Sequence, residues 1–414
     1  MYYNIVYTQG ASAFLLFVVA RGNAVSLVQE SLKAAALAEW RQEVNSVEGL
    51  SFEEALRQVQ WMEQPAQPQV QQEPFSTDDI NPHRLRVTNP DGLLGRPLNK
   101  IEAMMLQNIE AVDEYAWSRG SRGGLDTGWE LFNDAIEGGL QPGLILFAAA
   151  PNVGKSAMML QIAKTVSERN ENVYVSYHSL DDSNNELLPR YIACDQQIKI
   201  AQAKMPEKFS DQPEIIEKRN EGLRNLYRNI YRFGMYDSEN LGTSVEAIEQ
   251  HIKDILMELP EGVKLVICID SFNDLTVESQ KFSNNDARNE YVAKMLKSWT
   301  VRYNAVVMCT AHLRKTNGKR PTVDDLKDTI RLQYEANLIL LLYNEVGIKE
   351  ENAAVYWMDE EEETKMPVIE CKFAKNKFSS FKGTRFYEFF PDFSFMIEAP
   401  IEACRRYASL IYQG

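Results

Sequence analysis

The run LILFAAAPNVGKSAMMLQIAKTV, Leu144 to Val166, constrains the fold of this chain more than any other stretch. An apolar segment of strand length meets a Gly-Lys-Ser triplet. The triplet opens a segment with Met159, Ile162, Ala163 and Val166 along one helical face. A strand, a tight loop and a helix in that order form a P-loop, in which loop amides and the helix N-terminus face an anion. The predicted cradle is Ala150, Pro151, Asn152, Val153, Gly154, Lys155, Ser156 and Ala157. Gly154 allows close backbone approach to phosphate, Lys155 brings a point charge to the terminal phosphates, and the Ser156 hydroxyl suits Mg²⁺. The pattern G-x-x-x-x-G-K-[ST] is met except at its first position, where Ala149 stands. ATP and Mg²⁺ are the expected cofactors.

A second signature is KLVICID, Lys264 to Asp270, an apolar strand ending in a carboxylate that can hold Mg²⁺ directly or through water. Apolar strands often end in aspartate, but this one follows a P-loop and precedes a comparable run ending at His312. From Thr127 onward strands and helices alternate, with strand candidates at Leu144–Ala149, Val173–His178, Lys264–Ile269, Ala305–Thr310 and Leu338–Tyr343. Their continuous apolar character predicts a parallel sheet covered on both faces. Beyond Pro367, runs at Val368–Ala374, Thr384–Phe390 and Phe393–Glu398 predict an antiparallel extension. The expected fold class is therefore α/β, a P-loop NTPase core with a mainly parallel central sheet and a C-terminal antiparallel extension. A small, mainly helical N-terminal region precedes it.

A length of 414 residues suffices for one large α/β domain and a smaller one. Residues 1–63 carry helical periodicity at Ala24–Val44 and Phe52–Met62 and read as a small N-terminal domain. The Gln/Pro-rich tract Gln64–Pro74 cannot pack, so 64–98 reads as a linker. An amphipathic helix is expected over Asn99–Trp117, with Ile101, Met105, Ile109, Val112 and Tyr115 near one face, in a segment 99–121. The ATPase domain then spans 122–399, and 400–414 reads as a tail. Ala11–Ala20 is apolar but, at about ten residues, too short to span a bilayer, and no Lys or Arg precedes it. No membrane association is expected. The five cysteines are scattered and without metal spacing, which suits buried reduced thiols and a cytoplasmic location. A net charge of −15 argues against indiscriminate nucleic-acid binding, though positive charge confined to a channel would escape that objection.

Thr127-Gly128-Trp129, followed by GGLQPGLILFAAAPNVGKS, resembles the entry into the ATPase domain of DnaB-type replicative helicases, which have a RecA-like core. Ser179–Ala193 is similar to their S-L-E-M-S stretch, and Arg320–Tyr343 to their R-P-x-x-x-D-L-R segment. Cys309–Lys315 is closer to the C-H-L-K of phage primase-helicases. The resemblance covers about Asn99 to Glu398 and implies roles position by position. Lys155 and Ser156 would bind phosphate and Mg²⁺, with Asp270 as second metal carboxylate. Asp181 would take the place of the glutamate that polarises the attacking water; a helix N-terminal acid stabilised by the dipole is the alternative. His312 would sense the γ-phosphate, or stand as a satisfied polar residue at a strand end. The family's trans-acting K-x-R lines up with Lys375 and Lys377, so a lysine replaces the finger arginine; Arg385 and Lys372 are alternatives.

The resemblance further implies a homohexameric ATP-dependent helicase that translocates on single-stranded or forked DNA. Its DNA-facing loops would be Thr276–Arg288 and Arg314–Arg331, and a primase or helicase loader would be its protein partner. A RecA-like recombinase or signalling ATPase without unwinding is an alternative. So is a weakly hydrolysing, ATP-dependent, DNA-bound scaffold.

Overall fold

The computed structural model describes residues 96–118, 123–314, 318–326, 330–359 and 363–412. The chain divides into two units, 1–101 and 102–414. The helices expected at Ala24–Val44 and Phe52–Met62 and the Gln/Pro tract lie outside the described residues.

In the second unit six strands run parallel: β1 (Gly143–Ala149), β2 (Val173–Ser179), β3 (Phe233–Asp237), β4 (Lys264–Asp270), β5 (Val306–His312) and β6 (Leu338–Asn344). Their spatial order is β6-β1-β5-β4-β2-β3. β7 (Tyr356–Asp359) pairs with β8 (Thr364–Asn376), which continues the main sheet antiparallel beside β6 and is followed by β9 (Thr384–Phe390) and β10 (Phe395–Glu398). The helices that matter for the site are α1 (Lys100–Ser118), α2 (Lys155–Arg169), α3 (Val245–Glu258), α4 (Asn285–Arg302), α5 (Ile330–Glu335) and α6 (Ile401–Tyr412).

Every residue of β1 is buried. Ile145, Phe147 and Ala149 enter one core with Met158, Met159, Ile162 and Val166 of α2. Leu144, Leu146 and Ala148 enter another with Ile248 and Ile252 of α3 and Leu296 and Trp299 of α4. Alternate residues of one strand thus face two cores, which is why the sequence reads as an unbroken apolar run.

Every strand expected from the sequence is present, with ends that move by up to a few residues. β10 starts two residues later than expected because Pro391–Phe393 form a 3₁₀ turn with proline at its first position. β3, β7 and α6 were not foreseen, and α6 occupies most of the stretch read as a tail. The helix expected over Asn99–Trp117 is α1, and its apolar residues are exposed: Met105 56%, Ile109 54% and Val112 69%. All five cysteines are buried and unpaired by disulfide.

Candidate nucleotide site

The register gathers the chemistry at one edge. Ala149 at the end of β1 lies opposite His312 at the end of β5, and Ser179 at the end of β2 lies opposite Asp270 at the end of β4. Ligands of open α/β sheets bind at this carboxyl edge. The loop from Ala150 to Gly154 leads directly into α2. Gly154 has φ +108°, a conformation that favours glycine, and a Cβ there would press on Met396 Cε of β10 at 3.1 Å. Gln161 of α2 fixes that approach, donating to the Met396 carbonyl and accepting from its N–H, both at 2.8 Å.

Lys155 is buried and its ammonium donates to the Ala150 carbonyl at 3.0 Å, folding back over the loop. Burial pushes its pKa down, while the charges of Asp270 and Asp181 pull it back up. Asp270 is buried too; its Oδ1 accepts from Thr310 Oγ1 at 2.5 Å and its Oδ2 from Tyr177 Oη at 2.9 Å. Each carboxylate oxygen keeps further acceptor capacity. Asp181 is exposed beyond β2. Partial burial raises its carboxyl pKa, and Asp274, Asp182 and Asp270 push the same way, against His312. His312 is half-buried and held below the ordinary histidine range by burial first and by the Lys155 charge second, with Asp274, Asp181 and Asp270 opposing. Burial and the Lys155 charge thus both favour the neutral imidazole. The four predicted residues Lys155, Asp181, Asp270 and His312 sense one another electrostatically, and Ser156 follows Lys155 at the helix start.

Sequence reasoning missed the residues that hold this set in place. Besides Thr310 and Tyr177, Asn273 Oδ1 accepts the His312 backbone N–H at 2.9 Å, and Asp274 is the first charge to act on Asp181 after burial. A hydroxyl inside VVMCTAH and another inside VYVSYHS were the available signals.

Lys375 and Lys377 do not join this edge. β8 is antiparallel to β6, and Asn376 lies opposite Leu338 at the start of β6. The Lys377 N–H donates to the Asn337 carbonyl at 2.9 Å. The pair therefore sits at the amino edge, about 20 Å from the P-loop end by the length of a seven-residue strand. Lys372 is exposed farther along β8, and the Arg385 guanidinium lies over the Phe381 ring at 4.5 Å.

Of the two loops, Thr276–Arg288 keeps Lys281 exposed, while Phe282 packs on Tyr291 with ring centres 5.5 Å apart. In the second, Arg314 and Lys319 are exposed, but Arg320 is held by Glu370, and Lys315 and Lys327 lie outside the described residues.

A mainly parallel sheet with a P-loop, a strand-end aspartate and a strand-end histidine on one edge defines a nucleotide-triphosphatase core. Residues 124–385 match the family described as DnaB-like helicase C terminal domain, and the chain belongs to that family. Among curated proteins it is similar to a probable replicative DNA helicase of Trieres chinensis, 23% identical over 56% of this chain and 50% of that protein. It is also similar to the replicative DNA helicase DnaB of Geobacillus stearothermophilus, 23% identical over 59% of this chain and 52% of that one. The chain spans about half the length of the curated relatives it matches. In fold it resembles a solved ATPase domain, with TM-score 0.60 and 20% identity over 73% of this chain and 100% of that one. A DnaB-like replicative helicase described with its primase interactions gives TM-score 0.59 and 20% identity over 74% of this chain and 70% of that one. The core is RecA-like. Among the described residues no helix is long and apolar enough to cross a membrane.

Proposed function

We propose that this chain is the motor of a replicative DNA helicase, a homohexameric ring that hydrolyses ATP to move along single-stranded DNA and split the duplex ahead. The observation that carries this reading is the division of the site between the two edges of one sheet. Lys155, Asp181, Asp270 and His312 stand at the carboxyl edge, whereas Lys375 and Lys377 stand at the other. Lysines at the amino edge cannot reach the P-loop of their own chain. A second copy placed against that loop completes the site, and repetition of that contact closes a ring.

In this reading Lys155 and the loop amides hold the terminal phosphates. A hydroxyl and a carboxylate, Ser156 and Asp270, are an all-oxygen pair of the kind that would hold Mg²⁺. The ion would neutralise charge between the phosphates. Asp181 takes the proton of the attacking water. His312, neutral and hung on Asn273, reads whether the γ-phosphate is present and passes that to the loop after β5. Lys377 of the neighbouring copy faces the developing charge. Arg314 and Lys319 of the second loop and Lys281 of the first supply cations for a DNA backbone, a few per subunit multiplied round the ring. The solved relative described with primase makes a primase, or a helicase loader, the class of protein partner to test.

Strand displacement on a forked DNA duplex with Mg·ATP, run beside Lys155→Ala, tests the reading. Unwinding by the native chain that falls by more than about 10²-fold in the variant is expected, the scale of one lost transition-state contact. An assembled protein that turns over ATP yet leaves the fork intact would replace the motor with a non-unwinding RecA-like ATPase.

A further inference from the structure

Asn337, just before β6, gathers two lysines from elements far apart in the chain. Its Oδ1 accepts a hydrogen bond from Lys297 Nζ of α4 at 2.7 Å, and its carbonyl accepts the Lys377 N–H at 2.9 Å. Lys375 shares this edge but commits its ammonium to the Gln333 and Tyr334 carbonyls, at 2.5 and 3.0 Å, near the end of α5. It braces the edge and is not free to reach outward. The Lys377 side chain is exposed.

The balance of charge here is one-sided. Burial first, then the Lys377 charge, pushes the Lys297 ammonium below the ordinary lysine range, and the same two causes act in the same order on Lys375. The carboxylate that acts on both is Glu335, and it already pairs with Arg331 at 2.6 Å. Ammonium groups set together with no dedicated counter-ion among the described residues make a site for an anion from outside the chain. Lys297 now rests on a neutral amide oxygen, and an anionic phosphate oxygen is the stronger acceptor.

We propose that Lys297 and Lys377 together clamp the terminal phosphates of ATP bound to the neighbouring copy, which makes Lys297 a second catalytic cation supplied in trans. This rests on the reading that Lys377 acts across the subunit boundary. An arginine offers two donors from one rigid plane, whereas a lysine offers a point charge. The Lys297 ammonium at the Asn337 side chain and the exposed Lys377 side chain, whose backbone is tied to the same residue, come from different elements, feel each other's charge and restore a two-point contact.

The test compares native, Lys297→Met, Lys297→Arg and Lys377→Met rings. Two quantities are measured: binding of fluorescent ADP with and without aluminium fluoride, and turnover of ATP on single-stranded DNA. A clamp that acts at the γ-position leaves ADP binding unchanged in Lys297→Met but weakens ADP·aluminium fluoride about tenfold or more, with turnover down by about ten- to a hundredfold. Lys297→Arg recovers most of both. Equal weakening of ADP and ADP·aluminium fluoride would show a merely structural lysine and overturn the proposal. So would Lys297→Met rings that keep both properties while Lys377→Met rings lose them. Should Lys377→Met also behave as native, the trans reading itself fails, and the clamp with it.

Discussion

In the proposed mechanism Asp181, as the base, carries the heaviest chemical demand of any single residue. A general base must be ionised, within reach of a water, and basic enough to take its proton. Its exposed position meets the first demand, and the carboxylates of Asp274, Asp182 and Asp270 raise its affinity for a proton in support of partial burial. The sign follows: with a carboxyl pKa above the ordinary aspartate value, the active ionised form is lost as pH falls, and lost at higher pH than for a free aspartate. Asp181→Asn should lower kcat by about 10² to 10⁴ and abolish that acid limb, while Asp181→Glu keeps a limb. A kcat–pH profile of the three proteins decides it; an unchanged limb in Asp181→Asn would assign the titration elsewhere. Lys155, Ser156 and Asp270 were legible in the sequence because spacing alone fixes them to a strand end or a helix start. Thr310 and Tyr177 were not, because a hydroxyl in an apolar strand means little until register is known. Only the adjacency of β2, β4 and β5 aims both at one carboxylate.

The same lesson holds for whole elements. Strands with continuous apolar runs were readable, whereas β3 (FGMYD) and β7 (YWMD) are short, and their character comes from the neighbour they pair with. The loop after β5 shows a further gap between pattern and role. Arg320 reads as a DNA-facing cation, yet its guanidinium is bidentate to Glu370 of β8, at 2.7 and 2.8 Å, and lies over the Tyr343 ring. Tyr343 in turn donates to the Gly318 carbonyl at 2.8 Å. Gly318 and Arg320 are thus pinned to β6 and β8, and the loop's exposed cations project from a fixed base. Glu370 is buried, so Arg320→Ala leaves its carboxylate without its main partner. A loss of about 1–3 kcal/mol is expected in denaturant melts, below the full cost of a broken interior pair because Arg320 is one-third exposed. The exchange Arg320→Glu with Glu370→Arg should recover part of it. If Arg320→Ala weakened single-stranded DNA binding with no loss of stability, the arginine would be a DNA ligand after all.

At the scale of the whole molecule the element that stands out is α1, with its exposed apolar face. Met104, Met105, Ile109 and Val112 are each more than half exposed, too much apolar surface on one helix for a segment that works in water by itself. In the proposed ring this helix docks on the adjacent copy, and burying side chains of this size contributes about 1.5–3 kcal/mol apiece before the cost of association is subtracted. Ile109→Asp places a charge in that contact and touches none of the P-loop residues. It should therefore raise the concentration needed for Mg·ATP-dependent assembly by about a hundredfold or more, as read by light scattering of the eluting species, while the thermal transition of the dissociated chain stays as native. ATP turnover should fall with assembly and return as the concentration is raised, because in the proposed ring the P-loop edge stays intact and lacks only its neighbour's lysines. Rings that form normally in Ile109→Asp would mean that the apolar face of α1 is covered by something other than the next subunit. A dissociated variant that still hydrolysed ATP at the native rate would break the link between assembly and catalysis, because the proposed sharing of the site between neighbouring copies has them lost together.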